Sequence, residues 1–203
     1  YGRMDLSQFR ADTALALDRR NFVRLALGSG AGLVIGAWLP AGSARAEAAA
    51  QGNESGGVFM PFVKITPDNV VTVLVKHQDK GQGVATGLST LVAEELDADW
   101  AQVKPEFAPA NVELYKNLFF GVQGTGGSTA IANSFEQYRK AGAAARAMLV
   151  EAAAKRWGVD AASVKVAKGV VSSGANSATF GELAKDAASM AVPADPKLKT
   201  ADE

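Results

Sequence analysis

The sequence holds no cysteine and a single histidine, His77, among its 203 residues. Without thiols the chain can form no disulfide, ligate no iron–sulfur cluster and build no thiolate metal site. One imidazole rules out a multi-histidine metal centre within the chain. Net charge is absent as well, since 21 Lys and Arg balance 21 Asp and Glu. No basic stripe with interleaved aromatics is present, which argues against a nucleic-acid partner. A Gly-Lys-Ser/Thr phosphate loop is also missing. The uncharged apolar run from Leu25 to Leu39 is 15 residues long, short of the roughly 20 that span a bilayer comfortably.

What is present begins with Asp18-Arg19-Arg20-Asn21-Phe22, which sets two arginines before that apolar run, with Ala44-Arg45-Ala46 beyond it. A basic start, a short apolar middle and a small-x-small site compose a secretory signal, and the paired arginines give it a twin-arginine form. Residues 1–46 are therefore read as a signal region, with an uncleaved membrane anchor as the competing reading. The implied location is the periplasm, with membrane association if the signal is retained. Residues 47–58, rich in Ala, Gly and polar groups, read as a flexible linker. The 157 residues after position 46 suit one domain with a real core, placed over 59–192.

Two glycine-rich turns stand about 40 residues apart. The first is Gly81-Gln82-Gly83-Val84-Ala85-Thr86; the second is Gln123-Gly124-Thr125-Gly126-Gly127-Ser128-Thr129. Each opens onto a helical pattern, where bare N–H groups and the helix dipole favour an anion. Neither is a dinucleotide fingerprint, because Thr86 and Thr129 stand where the third glycine would fall. On spacing alone each reads equally well as a structural turn. Together, with hydrogen-bonding side chains at Gln82, Thr86, Gln123, Ser128 and Thr129, they read as two grips on a long dianionic cofactor. Neither contains an evident nucleophile or proton-transfer group.

Around the turns the patterning predicts strands over 62–65 and 70–76 joined by Thr66-Pro67-Asp68-Asn69, the second of them central. A helix is expected over 84–96 with Leu88, Leu91, Val92 and Leu96 inward. A short strand over 103–107 and a long helix over 130–157 follow, the latter closed by Gly158. The Gly142–Ala145 stretch predicts close approach to a neighbouring backbone. A second hairpin (164–166 with 169–171), a final helix over 180–188 and a linker over 193–203 complete an α+β reading with sheet, helices and hairpins layered together. His77 is expected to be a satisfied surface or interface residue. Glu94 and Glu95, about 100° apart on a helix, cannot face each other as an acid/base pair and are placed on a solvated face. Trp100, Phe119, Phe120 and Trp157 are expected in the core or an interface.

The stretch Val75-Lys76-His77 through Gly81–Gly87 to Leu91–Leu96, the Val122–Thr129 turn and the helix Ala141–Leu149 resemble the xanthine oxidase/aldehyde oxidoreductase family. The resemblance covers residues 19 to about 198 and is nearest to its exported branch, typified by isoquinoline 1-oxidoreductase beta subunits. It implies a partial molybdopterin-binding domain of a molybdenum hydroxylase large subunit, with molybdopterin cytosine dinucleotide as cofactor. Carried over residue by residue, Gly81, Gln82, Gly83 and Thr86 form one grip. Gln123, Gly124, Thr125, Gly126, Gly127, Ser128 and Thr129 form the other. It further implies oxidation of an aldehyde or N-heterocycle with oxygen from water. Electrons would leave through an iron–sulfur small subunit, with a cytochrome as a further acceptor.

The family's catalytic glutamate, a general base near the far end of a much longer chain, has no counterpart here, nor does the domain expected after Lys199. The chain is thus expected to be an N-terminal portion of the large subunit, inactive alone and completed by the remaining large-subunit domains. The rival reading is an exported, non-catalytic interaction module that kept the fold and lost the cofactor.

Overall fold

The computed structural model describes the backbone of residues 33–39 and residues 58–202, with side chains from 62 onward. Strands β1 (Leu33–Leu39), β2 (Val58–Ile65), β3 (Val71–Val75) and β4 (Val103–Phe107) form one sheet in that order. β2 and β3 pair antiparallel with Ile65 opposite Val71. Their turn is closed by Thr66 N to Val70 O (3.0 Å) and Asn69 N to Thr66 O (2.9 Å). Asn69 takes a left-handed conformation (φ 64°) that its short amide tolerates. β3 is central, as a run apolar on both faces except at Thr72 predicts, with Val71, Val73 and Val75 buried. β4 runs parallel to it, and a parallel pair needs a crossover, which helix α1 (Val84–Leu96) provides. Pro105 is tolerated because β4 ends the sheet.

The expected long helix is α3 (Ala130–Trp157), preceded by the single turn α2 (Val112–Tyr115). Lys155 and Arg156 sit in the last turn of α3, and Gly158 ends it at φ 65°. Leu88, Val92 and Leu96 from α1 meet Tyr138, Ala141, Ala145 and Leu149 from α3 in the core. The two helices approach so closely that a Cβ on Gly142 would lie 2.7 Å from Val92 O. The Gly-Ala stretch thus has the packing role its small residues predict. A second sheet, β5 (Lys165–Ala167), β6 (Val170–Ser173) and β7 (Asn176–Thr179), leads into α4 (Phe180–Ala187). Thr179 and Glu182 form a reciprocal capping box there. α4 docks against the β2–β3 turn, with Gly181 N donating to Asn69 Oδ1 at 3.0 Å. The architecture is α+β.

Several expectations are corrected. The second hairpin is a three-stranded meander, because Asn176–Thr179 adds a strand whose polar residues carry little β signal. Glu95 is buried rather than solvated: it pairs with Arg139 (Nε to Oε1, 2.7 Å) while Glu94 faces water. His77 is fully buried, not superficial. Of the aromatics expected in the core or an interface, Trp157 packs partly against the core, while Trp100, Phe119 and Phe120 lie outside it, exposed by about half or more, which leaves the interface alternative for them. In the segment 193–203, read as a departing linker, the described residues 193–202 hold no helix or strand but are tied back to α1 and α3. Lys199 N donates to Glu95 Oε2 (3.0 Å), Lys199 O accepts from Arg139 (2.6 Å), and Lys199 Nζ meets Asp97 (2.5 Å). Leu33–Leu39, the second half of the apolar run, is strand β1, antiparallel to β2. The paired arginines, the Ala-Arg-Ala site and residues 47–57 lie outside the described residues. No helix among the described residues is long and apolar enough to cross a membrane.

Candidate functional site

β3 ends at Val75, and the chain turns through residues 76–83 into α1. The turn is organised by Asp79. Its Oδ1 accepts from Gly81 N (2.8 Å) and Gly83 N (3.3 Å), and its Oδ2 from Ala85 N (2.9 Å). These backbone bonds hold the Asp79 carboxyl below its ordinary range. Gln82 folds back on the same turn, accepting from Lys80 N (2.5 Å) and donating to Gln78 O (2.8 Å). Gly81 and Gly83 have φ of 95° and 81°, so the backbone itself demands glycine. The donors of this helix start therefore already serve an anion, and it belongs to the protein. Thr86 faces solvent one turn along.

The second turn lies beside the first. Gln78 N donates to Thr125 Oγ1 at 2.8 Å, and Gly124 O accepts from His77 Nδ1 at 3.2 Å. Here the side chains brace and the carbonyls are engaged. Gln123 spans Asn111 N (2.9 Å) and Pro109 O (3.1 Å). Thr129 Oγ1 accepts from Asn117 Nδ2 (2.8 Å) and donates to Gly126 O (2.8 Å). Asn117 Nδ2 also reaches Gly124 O at 3.3 Å. By contrast, among the described residues no protein acceptor takes the backbone N–H of Gly124, Thr125, Gly126, Gly127 or Ser128. Gly126, Gly127 and Ser128 are exposed, and Gly127 and Ser128 are both left-handed (φ 58° and 54°).

The glycines divide by cause. Gly127 is required by its φ, and Gly142 and Gly181 by neighbouring backbone within 2.7 Å of a built Cβ. Gly124 and Gly126 fall in neither class. Their φ is ordinary, and a Cβ on Gly124 would meet nothing within 4 Å, one on Gly126 only Phe120 at 4.0 Å. Nothing within the described chain requires glycine there, in a turn whose five N–H groups have no protein acceptor among the described residues. Uncharged donors at a helix start fit a phosphate or pyrophosphate. Among the described residues no cluster of His, Asp and Glu could hold a metal. The arrangement can bind and orient an anionic group and has no nucleophile of its own.

A buried polar layer underlies both turns. Tyr138 OH accepts from Lys76 N (2.9 Å) and donates to Leu74 O (2.8 Å), joining α3 to the end of β3. Lys76 Nζ donates to Gln137 Oε1 (2.6 Å) and Lys116 O (3.3 Å). Burial lowers this ammonium to about 8. His77 Nε2 lies 3.0 Å from Ser134 Oγ, and burial, then the Lys76 charge, push the imidazole toward its neutral form. Sequence reasoning missed Asp79, Lys76, Asn117 and Gln137. Asp79 left a readable signal, a carboxylate two residues before Gly81 and just ahead of a helix start. The others act through contacts between residues 7 to 62 positions apart, which no local pattern carries.

Residues 18–202 match the model of the family described as the molybdopterin cofactor-binding domain. The chain is 42% identical over 135 residues to the isoquinoline 1-oxidoreductase subunit beta of Brevundimonas diminuta, covering 65% of this chain and 17% of that one. It is 29% identical over 170 residues to the membrane-bound aldehyde dehydrogenase [pyrroloquinoline-quinone] of Gluconacetobacter polyoxogenes, covering 83% and 21%. The chain thus spans about a fifth of these relatives. Among solved structures it is similar to the CO dehydrogenase of Oligotropha carboxidovorans, with TM-score 0.48, 19% identity and coverage of 84% and 21%.

Proposed function

The chain belongs to the molybdopterin cofactor-binding domain family, and from that membership we propose that it forms the cofactor-cradling N-terminal part of an exported molybdenum hydroxylase large subunit. The second turn, Gly124 to Ser128, would hold the pyrophosphate of a molybdopterin cytosine dinucleotide. The observation that carries this is the pair Gly124 and Gly126, glycines that neither backbone nor packing explains among the described residues, in a turn whose N–H groups have no protein acceptor there. The first turn, with Asp79 on its donors, would act by shape and through Gln82 and Thr86 rather than by gripping phosphate. When bound, the molybdenum cofactor supplies the oxidative chemistry. The Gly124–Ser128 turn would orient it through uncharged backbone donors. The substrate class is an aldehyde or an N-heterocycle, in keeping with the names of the relatives. Partners are the rest of the large subunit, an iron–sulfur small subunit and a cytochrome acceptor, after twin-arginine export to the periplasm.

Gly126→Val in the assembled complex tests the reading. Its Cβ has room in the chain, so thermal stability should move by less than about 1 kcal/mol, while molybdenum content collapses. Unchanged loading would favour a non-catalytic interaction module instead.

A further inference from the structure

His77 and Asn117 aim two donors at one atom. Gly124 O receives His77 Nδ1 at 3.2 Å and Asn117 Nδ2 at 3.3 Å, both from side chains that are fully buried. A carbonyl only accepts, so Nδ1 carries the proton and Nε2 accepts from the Ser134 hydroxyl at 3.0 Å. Asn117 Nδ2 also donates to Thr129 Oγ1, which in turn donates to Gly126 O. The carbonyls of Gly124 and Gly126 are thus both engaged by protein donors. The N–H groups between and beside them are not. A peptide unit has one dipole, so tying its carbonyl inward presents its N–H to whatever lies outside.

We propose that His77 and Asn117 are positioning residues that set the polarity of the Gly124–Ser128 turn, holding its carbonyls inward so that its N–H groups converge on the pyrophosphate of the bound cofactor. The inference rests on the cofactor reading above. His77 touches neither solvent nor ligand and acts through Gly124. Two further donors of the buried layer have no such target: Lys76 is committed to Gln137 and Lys116, and the Tyr138 hydroxyl to Leu74. The buried layer therefore reaches the turn through two residues, one from the end of β3 and one following α2, and Thr129 relays the Asn117 bond to Gly126 O.

The test is a titration of the full chain with inorganic pyrophosphate, read by the backbone amide resonances of the two turns. In the wild type the amides of Gly124–Ser128 should shift, and those of Gly81, Gly83 and Ala85, held by Asp79, should not. Replacing His77 with Asn keeps a donor near the Nδ1 position, whereas His77→Leu removes it. Both lose the Ser134 contact. Affinity should fall about tenfold for His77→Leu and at most about threefold for His77→Asn. If His77→Leu does not fold, the near-isosteric Asn117→Asp turns a donor into an acceptor facing Gly124 O and should lose at least about tenfold. Equal weakening by both His77 variants, or full affinity in Asn117→Asp, would overturn the positioning role. Wild-type amides of Gly124–Ser128 that stay still would overturn the cofactor assignment of the turn, and this inference with it.

Discussion

At the scale of single residues, the most consequential is one without a ligand role. Lys76 buries an ammonium against two neutral acceptors, and among the described residues no carboxylate pairs with it. The groups around it are His77, held toward neutrality, Lys116 through its carbonyl, and the buried Tyr138 phenol. The folded state lowers Lys76 from 10.5 to about 8, so between those values the unfolded chain binds more protons. Stability should therefore rise with pH from about 8. Buried Tyr115 opposes this higher up: raised from 10.0 to about 12, it keeps a proton that the unfolded chain releases, and stability falls above about pH 10. Urea unfolding should show a gain of roughly 1–2 kcal/mol between pH 8 and 10, abolished in Lys76→Met. An equal gain in that variant would refute the assignment. None of this is legible locally, since a lysine after a strand ordinarily points to water. His77 misleads for the same reason, because its burial depends on Gly124 and Ser134, which are 47 and 57 residues away.

At the scale of elements, the helices were legible and their joints only partly so. The 84–96 and 130–157 patterns give α1 and α3 with their observed ends, because 3.6-residue periodicity and, for α3, a closing glycine are local signals. Gly142 signalled a close approach. Gly142→Val should pry α1 from α3, since its Cβ would press on Val92 O at 2.7 Å and on Glu95. The cost should be about 3 kcal/mol in denaturant unfolding, and a loss under 1 kcal/mol would contradict this contact. Glu95 shows what periodicity cannot reach. It sits one position from the solvated Glu94 and joins Arg139 and the Lys199 backbone in one cluster. Removing its carboxylate leaves Arg139 without its buried partner, and Glu95→Ala should cost about 3 kcal/mol. It should also expose Lys197 and Lys199 to trypsin in the folded state. If cleavage there is no faster than in wild type, these bonds do not hold the tail.

At the scale of the whole molecule, the two turns that stand far apart in sequence meet between β3 and α3, and the meeting is unequal. One helix start is filled by Asp79; the other leaves five N–H groups with no protein acceptor, and two glycines with no backbone or packing cause, among the described residues. The glycines announce both turns alike, and what separates them is Asp79, a carboxylate two residues before Gly81 whose bonds fill the first helix start. The chain's family is that of a molybdopterin cofactor-binding domain, and the proposal above sets that cofactor at the open turn. The most direct measurement is the molybdenum and acid-released CMP content of the native complex captured through this chain. The account predicts both in near-equal amounts, together with an iron–sulfur partner. An intact complex that contains neither molybdenum nor CMP would contradict it.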